Sequence, residues 1–455
     1  MTSTVRSLLL AAACCASLSA AQAEDGFEPI FDGRSLDGWL GQDMSFWTVE
    51  DGAITGTISP EHAPPMNQYL VWQRELVDDF ELQLEFRLTG STTPNTNGGF
   101  QFRSRRLPNG DVAGYQVDNN FGQRWKVRLY DEFGRHDLAL EGERSVFDAA
   151  GQRHVEPLPL ESGAADFKLD EWHAYHLTAR GPLLELRING KLVAQSTDND
   201  PQQYEPLGVL AMQLHTGPPM KAQFRNLRIK RLAPAIPPTP RERLLATAAL
   251  DWQLGERPSA HQPPLAAQGT IVAELPASGT AAHSGAKVAR FEQAYVDGGR
   301  DWNTSGDAIT VYLRARMPDG NWNHGLFAKR GSHQTLNFNL FGVDLPDTPG
   351  TDIGFEVHPD QDFYQASFPV SRIDAAAWHD LVARYDGRHL ELLCDGALMQ
   401  RIPARGALTV NTEPILIGAE TDGGQVVRPA GGEFEEAAVW TRALSDSELR
   451  VLLGK

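Results

Sequence analysis

The feature that most constrains this fold is a sequence of elements that occurs once in each half of the chain. Trp172-His173 and Trp378-His379 each begin an alternating apolar run, and each run leads to a second run that ends in Asn189-Gly190 or Asp395-Gly396. An Asx-Gly pair between alternating runs is a strong β-hairpin signal. The repetition predicts two domains of the same all-β type, and an antiparallel sandwich of two sheets fits best.

A Pro-rich segment at 233–244 separates the two halves and is predicted to be a linker. The flanking domains are then residues 24–232 and 245–455. The chain has 42 glycines and 29 prolines, which favours strands and long loops over helix bundles. A short helix is expected only near the end, with Ser445 as its N-cap and Glu448 completing a capping box.

The first 23 residues have the pattern of a secretory signal peptide. Arg6 precedes an apolar stretch, and Ala21-Gln22-Ala23 fits the small-x-small cleavage rule. We therefore expect export to the periplasm or the extracellular space. No other apolar run approaches the roughly 18 residues needed to cross a bilayer, so membrane insertion is not expected.

Cysteine content and charge exclude several classes of protein. After signal removal the sequence keeps one cysteine, Cys394, so an internal disulfide is excluded. Its setting at the end of an apolar run indicates a buried residue and not a nucleophile. The formal net charge of −18 disfavours nucleic acid and anionic membranes as partners.

Three alternating runs, 98–105, 114–118 and 208–215, predict strands whose polar side chains share a face. Amide, guanidinium, carboxylate and imidazole groups, with few lysines, are typical of a cleft that binds hydroxyls or carbonyls. The predicted set is Gln101, Arg103, Gln116, Asp118, Gln213 and His215.

Several segments resemble the 3-keto-disaccharide hydrolase domain family. The opening signature is Phe31-Asp32-Gly33-Arg34-Ser35-Leu36-Asp37-Gly38-Trp39, and residues 47–52, 79–87 and 224–229 continue the resemblance in the same order. It covers about residues 25 to 232 and implies a concanavalin-like jelly roll. Residues 245–455 resemble the laminin-G-like branch of that architecture, through 376–387 and 438–445.

The resemblance implies cleavage of glycosides that are already oxidised to a ketone at C3. That ketone acidifies the C2 proton, so a base can form an enediolate that expels the C1 oxygen, and water then adds to the enone. The site needs a base, donors to the C3 oxygen and an acid for the leaving group. Hydrolysis and elimination both remain open. A separate sugar 3-dehydrogenase is implied as partner, because the chain has no Gly-rich dinucleotide motif.

Four residues are the predicted catalytic set. His215 is the first choice as base, because imidazole titrates near neutral pH. Asp118 is an alternative base, Arg103 is expected to stabilise the enolate oxygen, and Tyr130 is expected to act as acid. Each has a structural alternative, such as a surface histidine, a salt bridge or a solvated carboxylate.

The expected substrate contacts are amides and an aromatic ring. Gln101, Gln116 and Gln213 cannot transfer protons and are assigned hydrogen bonds to the sugar. Trp125 is expected to stack on a ring, and Asp131 is assigned to the cleft rim, although Asp131 and Glu132 are equally compatible with a turn. The signature residues Asp32, Asp37 and Trp39 are interpreted as structural.

No metal motif is present, so the cofactor prediction is limited to a divalent ion held by His215 and Asp118, if any. Asp352, Asp386 and Asp422 are interpreted as turn residues and not as calcium ligands. The alternative function is a non-catalytic carbohydrate-binding or adhesion protein, which would not depend on His215. An ordinary glycosidase needs a pair of carboxylates, and the predicted cleft strands supply one, Asp118.

Overall fold

The computed structural model describes residues 26–90, 96–107, 110–121, 126–159, 167–201, 203–234, 237–254, 266–276, 287–300, 304, 306–332, 334–344, 350–360 and 362–455. The predicted signal peptide and Trp125 lie outside the described residues. Within the described part the protein is all-β, with two sandwich domains in tandem, as the sequence predicts.

The first domain consists of two sheets. Its strands are β1 (Glu28–Pro29), β2 (Trp39–Gly41), β3 (Trp47–Glu50), β4 (Ala53–Ile58), β5 (Gln68–Trp72), β6 (Phe80–Gly90), β7 (Thr96–Arg106), β8 (Val112–Phe121), β9 (Val127–Glu132), β10 (His136–Leu140), β11 (Glu143–Phe147), β12 (Arg153–Pro157), β13 (His173–Arg180), β14 (Leu183–Ile188), β15 (Lys191–Asp198), β16 (Val209–Leu214) and β17 (Met220–Arg231). A 3₁₀ turn spans Met44–Phe46. The larger sheet runs β12-β11-β15-β14-β13-β6-β17-β4-β3, with β1 beside β17, and the smaller runs β10-β9-β8-β7-β16-β5-β2.

Alternation along the strands builds the core between these sheets. In β6, Phe80, Leu82, Leu84, Phe86 and Leu88 are buried while the residues between them are partly exposed. The apolar residues of the smaller sheet meet them, so that residues such as Phe100 and Met212 belong to the same cluster. The opposite face of the smaller sheet is left free to carry polar side chains.

The second domain repeats the architecture. Its strands are β18 (Leu250–Gln253), β19 (Ala266–Pro276), β20 (Lys287–Asp297), β21 (Ile309–Arg316), β22 (Gly325–Arg330), β23 (Leu336–Asp344), β24 (Thr351–Val357), β25 (Tyr364–Pro369), β26 (His379–Tyr385), β27 (His389–Cys394), β28 (Ala397–Pro403), β29 (Ile415–Ile417), β30 (Glu420–Asp422), β31 (Gln425–Val427) and β32 (Glu433–Trp440), with a 3₁₀ turn at Val370–Arg372. The main path is β25-β24-β23-β22-β29-β20-β32-β21-β26-β27-β28.

Two short helices flank the second domain. Helix α1 (Pro240–Leu245) begins at Thr239, which forms a capping box with Glu242. The end of the predicted linker is therefore helical, and Leu244 and Leu245 pack into a cluster with Trp440. Helix α2 (Asp446–Leu452) has Ser445 as N-cap and the capping box with Glu448 that the sequence predicts.

The repeated Trp-His pattern corresponds to the same set of contacts in both domains. We call it the hairpin clamp: the Asx side chain of the turn contacts the histidine and accepts a hydrogen bond from the backbone of the next residue. In the first, Asn189 accepts a hydrogen bond from the backbone of Ala174 at 3.0 Å, and its side chain lies 3.3 Å from Nδ1 of His173. In the second, Asp395 accepts from the backbone of Asp380 at 2.9 Å, and its Oδ2 lies 2.8 Å from Nδ1 of His379. Each histidine thus fixes the turn of the hairpin that follows it.

Cys394 is buried and free, as expected from its position in an apolar run. A search of the described residues for a helix long and apolar enough to cross a bilayer finds none.

Candidate active site

The smaller sheet of the first domain carries a polar face on the side away from the core. Its register places Gln213 of β16 opposite Tyr69 of β5 on one side and Gly99 of β7 on the other. Continuing across the sheet, Gly99 pairs with Asp118 of β8, which pairs with Arg128 of β9. Because paired residues point to the same side, this row forms one continuous surface.

A second row lies two residues along the same strands. Gln101 pairs with Gln116, which pairs with Tyr130, and Glu132 extends this face along β9. We use the name polar face for the following set: Tyr69, Gln101, Gln116, Asp118, Arg128, Tyr130, Glu132, Gln213 and His215. The sequence prediction that Gln101, Gln116, Asp118 and Gln213 share a face is therefore reproduced by the register.

The three glutamines are buried but lack hydrogen-bond partners for part of their amide groups. Gln213 donates to the hydroxyl of Tyr69 at 3.1 Å and Gln101 donates to the carbonyl of Val112 at 3.3 Å. The amide oxygens of Gln101, Gln116 and Gln213, and the amide nitrogen of Gln116, have no partner in the structure. Buried polar atoms without partners are costly, so this surface is suited to a ligand that supplies hydroxyls or carbonyls.

Gly99 occupies the first row between Gln213 and Asp118. A Cβ atom at this position would lie 2.0 Å from the carbonyl oxygen of Val117, so no other residue fits there without moving a strand. The glycine therefore permits the close approach of the β8 backbone in the middle of this row.

His215 follows β16 directly and is half-buried. Its Nδ1 lies 2.6 Å from the carbonyl oxygen of Thr216, so this nitrogen carries the proton and donates it to that carbonyl. When the ring is in its neutral form, its lone pair is therefore on Nε2. This is the arrangement that a general base needs, because one nitrogen is oriented by the protein and the other is available.

Asp118 and Tyr130 are both linked to Arg128. Arg128 contacts Asp118 at 2.6 Å and Asp137 at 2.5 Å, and its Cζ lies 3.8 Å from the centre of the Tyr130 ring. Burial raises the pKa of Asp118 and Arg128 opposes this shift. Since an Asp118 oxygen is held by Arg128, we regard Asp118 as an electrostatic neighbour of His215 and not as the base.

Tyr130 keeps its proton at neutral pH. Its hydroxyl lies 2.7 Å from Nδ1 of His136, and burial, followed by the charge of Glu132, raises its pKa to about 12. Tyr130 is consequently suited to donate a hydrogen bond and poorly suited to give up its proton.

Glu132 is a candidate functional residue that the sequence leaves equally compatible with a turn. Burial, followed by the negative charges of Asp118 and Asp111, raises its pKa to about 7. A carboxyl group that titrates near neutral pH can donate a proton or accept one. The alternation of β9 indicates this position, because Arg128, Tyr130 and Glu132 are alternate residues of one strand and therefore share a face.

The structure corrects the assignment of Arg103 to the catalytic set. Arg103 has a positive φ of 47° at an irregularity between β7 and β8, which turns its fully buried side chain out of the alternation. Its guanidinium contacts Asp79 at 2.7 Å and donates to the carbonyls of Asp78 at 2.6 Å and Gly181 at 2.8 Å. These contacts make Arg103 part of the domain's internal framework and remove it from the polar face.

Asp131 is also corrected, because it points to the opposite side of β9 from Tyr130. It is fully buried and accepts a hydrogen bond from the backbone of Arg135 at 3.1 Å. Arg135 in turn is paired with Asp198. Asp131 therefore stabilises the turn between β9 and β10 and does not line the predicted cleft.

A metal site at His215 and Asp118 does not fit the residues present. Within the described part of the chain, the group of three His, Cys, Asp or Glu ligands that comes together is His379, Cys394 and Asp395, in the second domain. There His379 uses Nδ1 for Asp395 and Nε2 for the carbonyl of Asp374 at 2.8 Å, so the group acts as the hairpin clamp.

Asp352, Asp386 and Asp422 of the second domain have separate contacts, and the structure places Asp352 in β24 and Asp422 in β30 and not in loops. The side chain of Asp352 receives a hydrogen bond from Ser367 at 3.3 Å, Asp386 accepts from the backbone of Arg388 and His389, and Asp422 lies at the end of β30 and is exposed.

The fold and the polar face define a protein of two concanavalin-like sandwich domains, of a glycosidase-like or carbohydrate-binding class. Residues 26–230 match the family described as the 3-keto-alpha-glucoside-1,2-lyase-like domain. Residues 291–450 match the concanavalin A-like lectin/glucanases superfamily, so the two matches follow each other along the chain in this order.

Three similar solved structures each cover less than half of the chain. A putative glycosyl hydrolase from Parabacteroides distasonis is 18% identical over 46% of this chain and 95% of that one, with a TM-score of 0.31. Domain 4 of AbnA, an arabinanase from Geobacillus stearothermophilus in complex with arabinotriose, is 15% identical over 46% and 98%, with a TM-score of 0.35. The carbohydrate-binding module CBM66 from Bacillus subtilis is 12% identical over 42% and 95%, with a TM-score of 0.29. No curated protein matches the chain.

Proposed function

We propose that this protein is an exported enzyme that cleaves 3-keto-glycosides on the polar face of its first domain. The observation that carries the proposal is the set of buried, partnerless glutamine amides beside an oriented histidine, His215, in a domain that matches the 3-keto-alpha-glucoside-1,2-lyase-like family. Export follows from the signal-like pattern of residues 1–23.

The reaction begins with removal of the C2 proton. Nε2 of His215 accepts this proton, and the electron pair moves into the C2–C3 bond to form an enediolate with charge on the C3 oxygen. The amide nitrogen of Gln116, which has no protein partner, supplies a hydrogen bond to this oxygen. The imidazolium that results is stabilised by the carboxylate of Asp118, whose charge acts on His215.

Expulsion of the C1 substituent completes the elimination. The enediolate collapses to a C1–C2 double bond, the C1–O bond breaks, and Glu132 gives its proton to the departing oxygen. A pKa of about 7 keeps part of the Glu132 population protonated at neutral pH, which this step requires. The products are a 2-hydroxy-3-keto-glycal and an alcohol, and addition of water at C1 yields the free 3-keto sugar.

The substrate must be supplied by an enzyme that oxidises C3, because the proposed chemistry needs a ketone there and consumes no oxidant. We assign that step to a separate sugar 3-dehydrogenase.

The decisive experiment compares purified protein with 3-keto-trehalose, a 3-keto-β-glucoside and their unoxidised parents, with and without EDTA. His215→Ala should lower kcat/KM for the keto sugars by roughly 10²–10⁴, the usual contribution of a general base, and leave glycan affinity largely intact. The matched control is His154→Ala, since His154 is an exposed histidine of the same domain.

Three results would contradict the proposal. Cleavage of the unoxidised parents would indicate an ordinary glycosidase, and full activity of His215→Ala would remove the assigned base. If no keto sugar is cleaved but glycan is still bound, the protein is a carbohydrate-binding module without catalysis. Detection of the glycal or of the hydrated sugar distinguishes a lyase from a hydrolase.

A further inference from the structure

A large cavity lies between the two domains, at the end of the polar face. Its volume is about 630 Å³, and it is lined by first-domain residues, among them Val71, Arg106 and Val209, and by second-domain residues Ala246–Ala249 and Thr441. The domains are held together beside it by an ion pair of Arg243 with Asp78 at 2.8 Å. The cavity is therefore a feature of the full chain and not of either domain alone.

The cavity continues the surface on which the proposed chemistry takes place. Val71 lies opposite Ala211 on β16, and Ala211 lies opposite Gln101 on β7. Val71, Ala211 and Val112 form one apolar cluster, and Val209 packs against it. A ligand bound at the glutamines can thus extend across the same face of the sheet, over β16, into the cavity.

Arg106 is the cation of this cavity. It pairs with Val112 at the end of β7, which places its side chain on the same side as the apolar cluster. Among the described residues, it makes no ion pair, and burial lowers its pKa with no carboxylate acting against the shift. The acidic residue of the cavity wall, Glu75, is already held by Arg231 at 2.8 Å.

A half-buried guanidinium without a counter-ion is unfavourable, and a planar carboxylate is the ligand that best matches its donors. We propose that the interdomain cavity binds the part of the glycoside beyond the reacting sugar, and that Arg106 holds a carboxylate carried by that part. The assignment of the reacting sugar to the polar face rests on the proposed function. The apolar wall of Val71, Val209 and Leu107 would then face the ring that carries the carboxylate.

The test uses two ligands of equal size that differ in charge, 4-carboxyphenyl and 4-carbamoylphenyl β-glucoside, titrated calorimetrically into the full chain. Neither carries the C3 ketone, so binding is measured without turnover. The carboxylate should bind about tenfold more tightly or better, as expected for a charge-assisted hydrogen bond. Arg106→Gln should abolish this preference.

Arg74→Gln is the matched control, because Arg74 is an exposed arginine near the cavity that does not line it. It makes the same change in net charge and should leave the preference intact. Equal binding of the two ligands by the unmodified protein, absence of binding by both, or a preference that survives in Arg106→Gln would overturn the proposal.

Turnover of the corresponding 3-keto glycosides separates this proposal from the proposed function. A carboxylate preference without cleavage would leave the cavity as a binding site and refute the enzyme. Cleavage with equal affinity for the two ligands would support the enzyme and refute the role of Arg106.

Discussion

Proton positions on the polar face are determined by each side chain's immediate neighbours. Nδ1 of His215 donates a hydrogen bond to the Thr216 carbonyl, and Tyr130 keeps its proton because its pKa is about 12. Glu132, with a pKa of about 7, is the carboxyl group that changes charge in the working range. The proposed base and the proposed acid are thus different residues with different environments, as acid–base chemistry at one pH requires.

Glu132→Gln should remove the pH dependence that Glu132 causes. The folded protein raises the pKa of this carboxyl from 4.5 to about 7, so the folded state holds a proton that the unfolded state has lost. Stability is therefore full below pH 4.5 and falls as pH rises to about 7, by up to about 3 kcal/mol. Urea unfolding of both proteins between pH 4 and 8 measures this loss.

In the same variant, the fall in kcat above neutral pH should disappear along with most of the activity. Retention of the wild-type pH–rate profile would exclude Glu132 as the proton donor to the leaving group.

Sequence alternation located most of the polar face but not all of it. Gln101, Gln116 and Gln213 were found because their strands are regular there. The assignment of Asp131 to the cleft rim rests on the family resemblance of this segment and not on alternation. The parity of β9 places Glu132, and not Asp131, on the polar face. Which glutamine atoms lack partners depends on packing between strands, and no local pattern contains that information.

At the scale of elements, the sequence predicts the repeated hairpins but gives no sign of the irregularity in β7. Nothing in the run Gly98–Arg105 indicates that Arg103 has a positive φ. The irregularity lets Arg103 form an ion pair with the buried carboxylate of Asp79, which lies between β5 and β6 and is distant from this run in sequence. The hairpins, by contrast, connect residues close in sequence, so the repeated Trp-His and Asx-Gly pattern predicts them, whereas the contact of each histidine with the Asx side chain is found only in the structure.

The two clamps differ in charge. Nε2 of His173 lies 3.1 Å from the backbone nitrogen and 3.2 Å from the carbonyl oxygen of Lys168, and Nδ1 meets a neutral amide, Asn189. Both nitrogens of His379 instead face acceptors, Asp395 and the Asp374 carbonyl. Burial acts to lower the pKa of His379, but these hydrogen bonds outweigh it and raise the pKa, whereas the pKa of Asp395 is lowered mainly through its bond to His379 against the effect of burial.

Asp395→Asn should therefore remove a pH-dependent part of the second domain's stability. The raised pKa of His379 stabilises below pH 6.5 and is lost as pH rises through the folded value, while the lowered pKa of Asp395 stabilises above pH 3.8 and is lost on acidification. The amide keeps the bond to the Asp380 backbone, so at pH 5–6 the expected cost is about 1 kcal/mol, against about 1–3 kcal/mol for Asp395→Ala.

Thermal unfolding across this pH range tests the clamp. Asn189→Asp in the first domain is the reciprocal variant and should introduce the same dependence there. Equal pH profiles for wild type and Asp395→Asn would show that the clamp is not charged.

At the scale of the whole molecule, the two domains have separate hydrophobic cores. One cluster contains Phe86 and Phe224, and another contains Phe338 and Phe355, with no member in common. Joined by a short linker and a few polar contacts, they should unfold as two units.

Calorimetry should accordingly resolve two transitions. Phe86→Ala should lower one midpoint and Phe355→Ala the other, each through a cavity that costs about 3–5 kcal/mol. A single transition that both substitutions shift would mean that the interdomain contacts make the two domains unfold together.

The clamps also bear on the order in which each domain folds. Many strand pairs join distant parts of the chain, as β6 joins β17 through Arg87 and Gln223, 136 residues apart. Each clamp closes a segment of 16 residues, so its entropic cost is far lower. These hairpins are where we expect nucleation, and Asp395→Ala should slow refolding of the second domain more than it accelerates unfolding in stopped-flow experiments. A hydrogen-bonded clamp that fixes one turn of the folded protein would then also set the rate at which its domain folds.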